Sequence, residues 1–201
     1  MDFSSVFTYC GKCGSRELIF LEGKKNECRK CGWVYYQNPV SAVVSIISFE
    51  NQFLFLRRAK DPGAGKLDMP GGFVDFGETA EEALRRELKE ELMIESGELT
   101  YFTSAPNHYL YLNVPYQTLD FYFAATIFSK PDSFDSSEIM EICWRSAGEI
   151  VEEEFAFSPM FQVFRQFLKH QSSDSRSFSR LAPTAKTSPA DTKTAVYTLV
   201  K

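Results

Sequence analysis

The sequence predicts an α+β domain preceded by a small cysteine-rich module. Runs of β-branched and aromatic residues separated by short turns indicate strands, and two stretches with helical apolar spacing indicate helices. A repeated Cys-x-x-Cys motif near the start indicates the separate module. With 201 residues, 44% of them hydrophobic, and 19 phenylalanines, the chain is long enough to bury one core of ordinary size.

The four cysteines of the first module form two identical knuckles. Cys10 and Cys13, then Cys28 and Cys31, each close a Cys-x-x-Cys-Gly motif, with fourteen residues between the pairs. Four thiolates complete a tetrahedral zinc site with no position for water, so the zinc would be structural. Disulfides are the alternative, which a reducing compartment disfavours. We predict a four-cysteine zinc ribbon at residues 1–36.

Strands dominate the rest of the chain. Residues 40–48 and 53–58 are predicted to form a hairpin around the polar residues 50–52. Further strands are predicted at residues 99–103, 107–112, 116–127 and 139–144, and a last helix at about 158–169. Two types of side chain here are candidates for substrate binding: arginines that could meet phosphates and tyrosines on which a base could stack, namely Arg57, Arg58, Tyr109 and Tyr116.

An acidic helix lies between these groups of strands. Thr79 and Glu82 form a capping box, which predicts a helix from about residue 80 to about residue 92. Its carboxylates at i, i+3 and i+4 then share one face: Glu87, Glu90 and Glu91. Hard oxygen ligands of this kind suit Mg²⁺ or Mn²⁺ bound together with phosphates. A solvated acidic face is the alternative.

The turn before this helix completes a longer pattern. From Gly72 there are five residues to Glu78, seven more to Arg86-Glu87, and then the letters LKEELMI over residues 88–94. This spacing resembles the Nudix box in every position but one. At Met93 the family has a glycine, which ends the helix in a left-handed conformation. The departure predicts a helix that overruns or ends differently, nearer Gly97.

The resemblance implies a mixed β-sheet flanked by helices over residues 37–170. It also implies Mg²⁺-dependent or Mn²⁺-dependent hydrolysis of a nucleoside diphosphate linked to another group. The implied metal ligands are Glu87, Glu90, Glu91 and the carbonyl of Gly71, and the implied brace between loop and helix is Glu78 with Arg86. A general base in this family is a box glutamate or a loop glutamate, so the candidates are Glu90, Glu91 and Glu138, with Glu141 as the less mobile alternative.

A zinc ribbon before a Nudix domain is similar to the arrangement of NADH pyrophosphatases. Their signature Ser-Gln-Pro-Trp-Pro-Phe-Pro is absent from the matching residues 103–109. NAD(H), ADP-ribose, a nucleotide sugar or a damaged nucleotide is therefore an equally suitable substrate. The alternative class is a non-catalytic module that senses a nucleotide or binds nucleic acid or protein, although a pure binder does not need the acidic residues in register.

Composition sets the remaining expectations. The net charge of −5 makes nucleic acid an unexpected partner, because an acidic chain repels phosphates. The sequence has no apolar run of membrane-spanning length and no signal peptide, so we expect a soluble, cytoplasmic protein with a small-molecule nucleotide as partner. Nudix relatives are often dimers, which makes a homodimer one expected state. Residues 171–201 are rich in Ser, Thr and Pro, and we predict that they form a disordered tail.

Overall fold

A computed structural model describes residues 7–112 and 114–173, with all their side chains except those of Tyr109, Tyr111 and Ser173. The N-terminal module is a small antiparallel sheet. Its strands, in spatial order, are β1 (Leu18–Leu21), β2 (Lys25–Cys28) and β3 (Val34–Tyr36). The last strand ends at the last residue of the predicted ribbon.

Within the described residues, the larger sheet has seven strands. They are β4 (Val40–Phe49), β5 (Gln52–Arg58), β6 (Leu67–Asp68), β7 (Gly71–Phe73), β8 (Leu99–Tyr111), β9 (Val114–Ala125) and β10 (Ile139–Arg145). Five of them lie in the order β10-β5-β4-β9-β8, while β6 pairs with β5 and β7 with β4. Strands β4 and β9 are parallel and the other pairs are antiparallel. The predicted mixed sheet is confirmed.

The predicted first hairpin is present, and its turn has a local cause. Glu50 and Asn51 both have positive φ, 50° and 63°. This is the conformation of a two-residue type I′ turn, whose twist matches that of the strands it joins.

The prediction of two separate strands at 99–103 and 107–112 is wrong. Strand β8 is continuous over both, with an irregularity between Tyr101 and Thr103. It contains Pro106, and it lies at the edge of the sheet with β9 as its partner. An edge strand tolerates proline because one side of its backbone needs no partner strand.

Helix α1 (Ala80–Leu92) has the predicted bounds, and both hydrogen bonds of its capping box are present. The amide of Glu82 donates to Oγ1 of Thr79 at 3.2 Å, and the amide of Thr79 donates back to Oε2 of Glu82 at 2.8 Å. The predicted overrun is wrong. Met93 takes the left-handed conformation itself, at φ 56° and ψ 26°, and its N–H bonds the carbonyls of Leu88 and Lys89. The helix therefore stops where the family's glycine would stop it.

The two faces of the sheet bury alternate residues of the same strands, as the two-residue period of a strand requires. One face packs against α1 and the other against α2 (Ser158–Ser173). The side of α1 includes Leu84, Leu88, Val43, Ile47 and Leu54, and the side of α2 includes Phe161, Phe164, Val44, Phe53 and Phe55. This layering brings the acidic helix and the central strands β4 and β9 to one cleft.

Helix α2 is longer than predicted and takes in residues 171–173 of the predicted tail. Residues 174–201 lie outside the described part of the chain. Two short 3₁₀ turns, Ala147–Glu149 and Glu152–Glu154, precede helix α2. Across the described residues, no helix combines the length and the apolar character needed to span a bilayer.

Candidate active site and candidate metal centre

A cleft of about 490 Å³ lies between helix α1, the central strands β4 and β9, and the loop before β10. Its near wall is the turn at residues 70–72. Ser45 holds this turn from β4, because both its amide and its hydroxyl donate to the carbonyl of Pro70, at 2.8 and 3.0 Å. The cleft borders the acidic helix, whose residues Glu87 and Glu91 line it.

Glycine is required at two positions of the turn. Gly71 has φ 149°, and a Cβ there would lie 2.0 Å from the carbonyl oxygen of Val43. A Cβ on Gly72 would lie 2.4 Å from a carboxylate oxygen of Glu87. The glycines therefore let the turn approach both β4 and α1 more closely than any other residue would.

Arg86 joins the loop to the helix, as the resemblance implies. Its Nε and Nη2 donate to the two oxygens of Glu78 at 2.8 and 3.0 Å, and Nη2 also donates to the carbonyl of Phe73 at 2.9 Å. These hydrogen bonds, which Arg86 donates and Glu78 accepts, raise the pKa of Arg86 and lower the pKa of Glu78. This bidentate pair is the brace between loop and helix.

The three carboxylates of the acidic face do not all point into the cleft. Glu87 and Glu91 line it. Glu90 is at the rim, with its side chain 61% exposed against 15% for Glu87. Nη1 of Arg86 donates to both Glu87 and Glu90, at 2.8 and 3.0 Å. The three carboxylates therefore share a helix face but differ in their exposure to solvent.

The acids inside the cleft repel one another. Burial raises the pKa of Glu91 well above its usual value, against a hydrogen bond from the amide of Gly71 at 2.9 Å, and the charges of Asp68, Glu87 and Glu138 raise it further. Burial also raises the pKa of Glu87, and Arg86 opposes that effect. Like charges that are partly removed from water need either protons or a cation to compensate them.

The donor set fits a hard divalent cation in chemistry. Carboxylate oxygens beside a backbone turn are ligands for Mg²⁺ or Mn²⁺. Among the described residues, only the four ribbon cysteines bring three or more candidate ligand atoms within 4.8 Å of one another. The cleft carboxylates are therefore more widely spaced than a closed metal site.

Glu138 is an exposed carboxylate at the far wall of the cleft. It lines the cleft, its side chain is 59% exposed, and Nζ of Lys60 lies 3.9 Å from its Oε1. The amide of Ala59 donates to its backbone carbonyl at 2.8 Å, which places the loop. Glu141 accepts a hydrogen bond from Arg57 at 3.0 Å, which lowers its pKa, and it does not line the cleft.

Of the two candidate arginines, only Arg58 lines the cleft. Successive residues of a strand point to opposite faces, so Arg57 lies on the other side of β5, bonded to Glu141 and to the carbonyl of Gly65 at 2.9 Å. Arg58 donates to Asp68 and to the carbonyl of Pro62, the latter at 2.7 Å. Arg57 and Arg58, which are adjacent in the sequence and were equal candidates, therefore lie on opposite faces of β5.

The two candidate tyrosines lie opposite each other in the β8–β9 register. Tyr116 lines the cleft at its end nearest the ribbon. Tyr109 belongs to β8, but its side chain lies outside what the structure describes.

The sequence reasoning missed the polar floor of the cleft. Asp120 accepts hydrogen bonds from the hydroxyl of Thr118 at 2.5 Å and from Nδ2 of Asn107 at 3.2 Å, and burial raises its pKa. Asp68 is also buried, beside Arg58, and burial raises its pKa too. A signal was present, since an acid inside an apolar strand pattern is seldom buried without a function or a partner.

The four ribbon cysteines form the candidate metal centre. Sγ of Cys10 lies 3.7 Å from Sγ of Cys31, Sγ of Cys13 lies 3.7 Å from Sγ of Cys28, and all four sulfurs are within 4.8 Å. A tetrahedral site with bonds of about 2.3 Å places its sulfurs about 3.8 Å apart, whereas a disulfide needs about 2.0 Å. The cysteines are free, so the geometry fits a metal and not the disulfide alternative.

The curated relatives that match parts of this chain include a pyrophosphatase and an RNA hydrolase. An ADP-ribose pyrophosphatase from Methanocaldococcus jannaschii is 42% identical over 81 residues, which are 40% of this chain and 44% of that protein. An NAD-capped RNA hydrolase NudC from Haemophilus influenzae is 30% identical over 106 residues, which are 52% of this chain and 40% of that protein. The chain thus spans less than half the length of either relative.

A solved structure extends the likeness beyond the acidic helix. A NUDIX hydrolase from Nitrosomonas europaea superposes with a TM-score of 0.66 at 26% identity, over 83% of this chain and 93% of that one. The family model of the NUDIX domain matches residues 37–167, which include the glycine turn, the braced acidic helix and every strand of the larger sheet. With the expected spacing from Gly72 to Ile94 and the expected fold around it, the chain belongs to the NUDIX family.

Proposed function

We propose that the chain hydrolyses the pyrophosphate bond of a nucleoside diphosphate linked to another group. The observation that carries this proposal is the pair of partly buried, mutually repelling acids Glu87 and Glu91 that line the cleft beside the glycine turn. Membership of the NUDIX family supports it, as do relatives named for hydrolysis of ADP-ribose and NAD-capped RNA. ADP-ribose, NAD(H) and nucleotide sugars are the substrates we would test first.

The cation in this proposal is Mg²⁺ or Mn²⁺. Glu87, Glu90, Glu91 and the carbonyl of Gly71 would hold it, with Glu90 shared with Arg86 at the rim. When bound, the cation neutralises the diphosphate and makes a coordinated water more acidic.

The chain's own residues perform the other tasks. Arg86 and Glu78 keep the glycine turn and the helix in one arrangement, so that the acids need no reorganisation when substrate arrives. Arg58 and Lys60 line the phosphate end of the cleft and oppose its negative charge. Glu138 accepts the proton of the attacking water, whose oxygen bonds to one phosphorus as the bridging P–O bond breaks. The products are a nucleoside monophosphate and the phosphorylated second group.

The ribbon is assigned a structural zinc ion held by Cys10, Cys13, Cys28 and Cys31. Four thiolates leave no open position for a reacting water. The proposed boundaries of the ribbon, the hydrolase domain and the tail are residues 1–36, 37–170 and 171–201, and α2 extends three residues into the tail. Reduced thiols suit a reducing compartment such as the cytoplasm.

One screen tests the function and its alternative together. Purified protein is incubated with nucleoside diphosphate derivatives and Mg²⁺, and phosphate is measured after phosphatase treatment. We expect turnover that Glu91→Gln and Glu90→Gln each reduce by about 10² or more, with Glu141→Gln as the matched control that retains it. Binding of a derivative without any turnover would favour the nucleotide-sensing module instead.

A further inference from the structure

A second cavity, which we name the ribbon pocket, lies between the N-terminal ribbon and the start of strand β9. It has a volume of about 240 Å³, and its lining includes Phe7, Tyr35, Gln37, Asn38, Tyr116 and Gln117. Tyr116 also lines the active-site cleft, so the two cavities meet at that side chain. The volume is below the range of about 300–1,000 Å³ of pockets that hold whole drug-sized ligands, and it suits one ring system.

The spacing along the sheet suits a nucleotide that occupies both cavities. Gly71 of the glycine turn pairs with Val44 of β4, and Val40 of the same strand lines the ribbon pocket. Four residues of extended chain span about 13 Å. A ribose and its base extend from a diphosphate over a distance of that order. A ligand with its diphosphate at the turn can therefore place its base in the ribbon pocket.

The lining of the ribbon pocket suits a flat, neutral, polar-edged ring. Tyr35 contacts Phe7 edge-on, with ring centroids 5.2 Å apart, and Trp33 stacks on Tyr35 with ring centroids 5.6 Å apart. The remaining polar side chains that line it are amides, and none of the described lining residues carries a charge. Aromatic faces and amides together recognise bases by stacking and by hydrogen bonds at the base edge.

One amide has an unmet hydrogen-bond requirement. Oε1 of Gln37 is buried and has no hydrogen-bond partner among the described residues. The backbone of Gln37 is held in place, because its amide donates to the carbonyl of Lys24 at 2.8 Å. Buried acceptors are satisfied in most proteins, so an exception calls for a partner. An amino group on a ligand would supply the missing donor once a rotation of the Gln37 side chain turns Oε1 towards the cavity.

We propose that the ribbon pocket binds the base of the nucleotide substrate, with Gln37 accepting a hydrogen bond from an exocyclic amino group of that base. The proposal rests on the proposed function for the identity of the ligand class. It gives the ribbon a part in substrate selection, since β3 and the residues that follow it form one wall of the pocket.

The test uses the fluorescence of Trp33 in the full chain with the only other tryptophan replaced, Trp144→Phe. Matched nucleotide pairs are titrated without added divalent cation: AMP against IMP and CMP against UMP, which differ by an amino group, with ribose 5-phosphate as the compound that lacks a base. We expect the preferred amino-bearing nucleotide to bind about 10-fold more tightly than its partner. Gln37→Leu should abolish that preference, and Gln162→Leu, the same change on the exposed face of α2, should leave it intact.

Equal binding within both pairs, or binding no tighter than that of ribose 5-phosphate, would overturn the proposal. Turnover separates its failure from that of the proposed function. Hydrolysis of ADP-ribose and related compounds with a KM that Gln37→Leu does not change would overturn the pocket and leave the function standing. Base discrimination in the fluorescence titration without hydrolysis of any derivative would support the pocket and overturn the function.

Discussion

Glu91→Gln should stabilise the protein in the absence of Mg²⁺ and destabilise it relative to wild type when Mg²⁺ is added. The carboxylate of Glu91 lies in the cleft among other acids, and burial is the main reason that its pKa is raised. Glutamine keeps the shape of the side chain and can still accept the hydrogen bond from Gly71. The substitution therefore removes a partly buried charge with little change in packing.

The magnitude follows from two opposing effects. The effective cost of burying an ion is several kcal/mol, and a hydrogen bond to a charged acceptor returns about 1.5–3 kcal/mol of it. We expect a net gain of about 1–2 kcal/mol for Glu91→Gln without the cation, which raises the Tm by about 2–8 °C for a chain of this size. Wild type gains stability with Mg²⁺ because the cation binds only the folded state, and the variant should lose most of that gain.

The pH dependence has a defined sign. A raised pKa in the folded state means that the unfolded chain releases the Glu91 proton at a lower pH than the folded chain. Between the two pKa values the unfolded state binds fewer protons, so this carboxylate lowers stability as the pH rises. The advantage of Glu91→Gln should therefore be absent below about pH 4, near the ordinary glutamate pKa, and should grow as the pH rises above it.

Thermal unfolding at several pH values measures all of these effects. Chelators are left out, and metal-depleted buffer is used instead, so that the zinc ion proposed for the ribbon would not be removed. Glu90→Gln is the matched control: its side chain is 61% exposed, and loss of an exposed ion pair changes stability by about 0–1 kcal/mol. A Tm for Glu91→Gln that is lower than wild type without Mg²⁺, or equal to that of the control, would refute the reasoning.

Three other predictions concern the ribbon, the general base and the end of α1. Cys28→Ser should abolish zinc retention and unfold the ribbon before the hydrolase domain, since Cys28 is 1% exposed. Elemental analysis measures the zinc content and thermal unfolding shows whether the ribbon melts first; a zinc content of wild-type protein well below one per chain would contradict the prediction. Glu138→Gln should lower kcat by about 10² or more while Mg²⁺ affinity stays within a few-fold; an unchanged kcat would return the role of base to Glu90 or Glu91. Met93→Gly should raise the Tm by about 2–4 °C, because a side chain at a left-handed position costs about 1 kcal/mol and the Met93 side chain is 59% exposed. A Tm lower than that of wild type would show that the Met93 side chain stabilises the protein by packing.

Short-range interactions let the sequence predict several elements within a residue or two. The capping box at Thr79 and Glu82 sets the start of α1, and the short polar stretch that contains Asn51, a residue type that tolerates positive φ, sets the turn of the first hairpin. The two knuckles are equally local: Gly14 and Gly32 both have φ 69° and both donate to the carbonyl of the first cysteine of their pair, Cys10 or Cys28. In each case the interacting residues are at most four positions apart, so their spacing in the sequence is enough to predict the local structure.

The predictions from local sequence were wrong where a partner strand or neighbouring contacts determined the structure. Strand β8 continues through Pro106 because β9 pairs with it along its length at the edge of the sheet. Met93 adopts a glycine conformation because the bonds of its N–H to Leu88 and Lys89 complete the helix end.

By itself, the sequence determined the NUDIX resemblance, the cysteine knuckles and the helix face that carries Glu87, Glu90 and Glu91. Only the tertiary structure decided which of those acids enter the cleft, because Arg86 and the turn at Gly71 select among side chains that share a face. The same holds for Arg57 and Arg58 on β5 and for the floor acids Asp68 and Asp120, which lie far apart in the chain. Burial and charge at these positions depend on strands brought together by the sheet, and no spacing in the sequence records that.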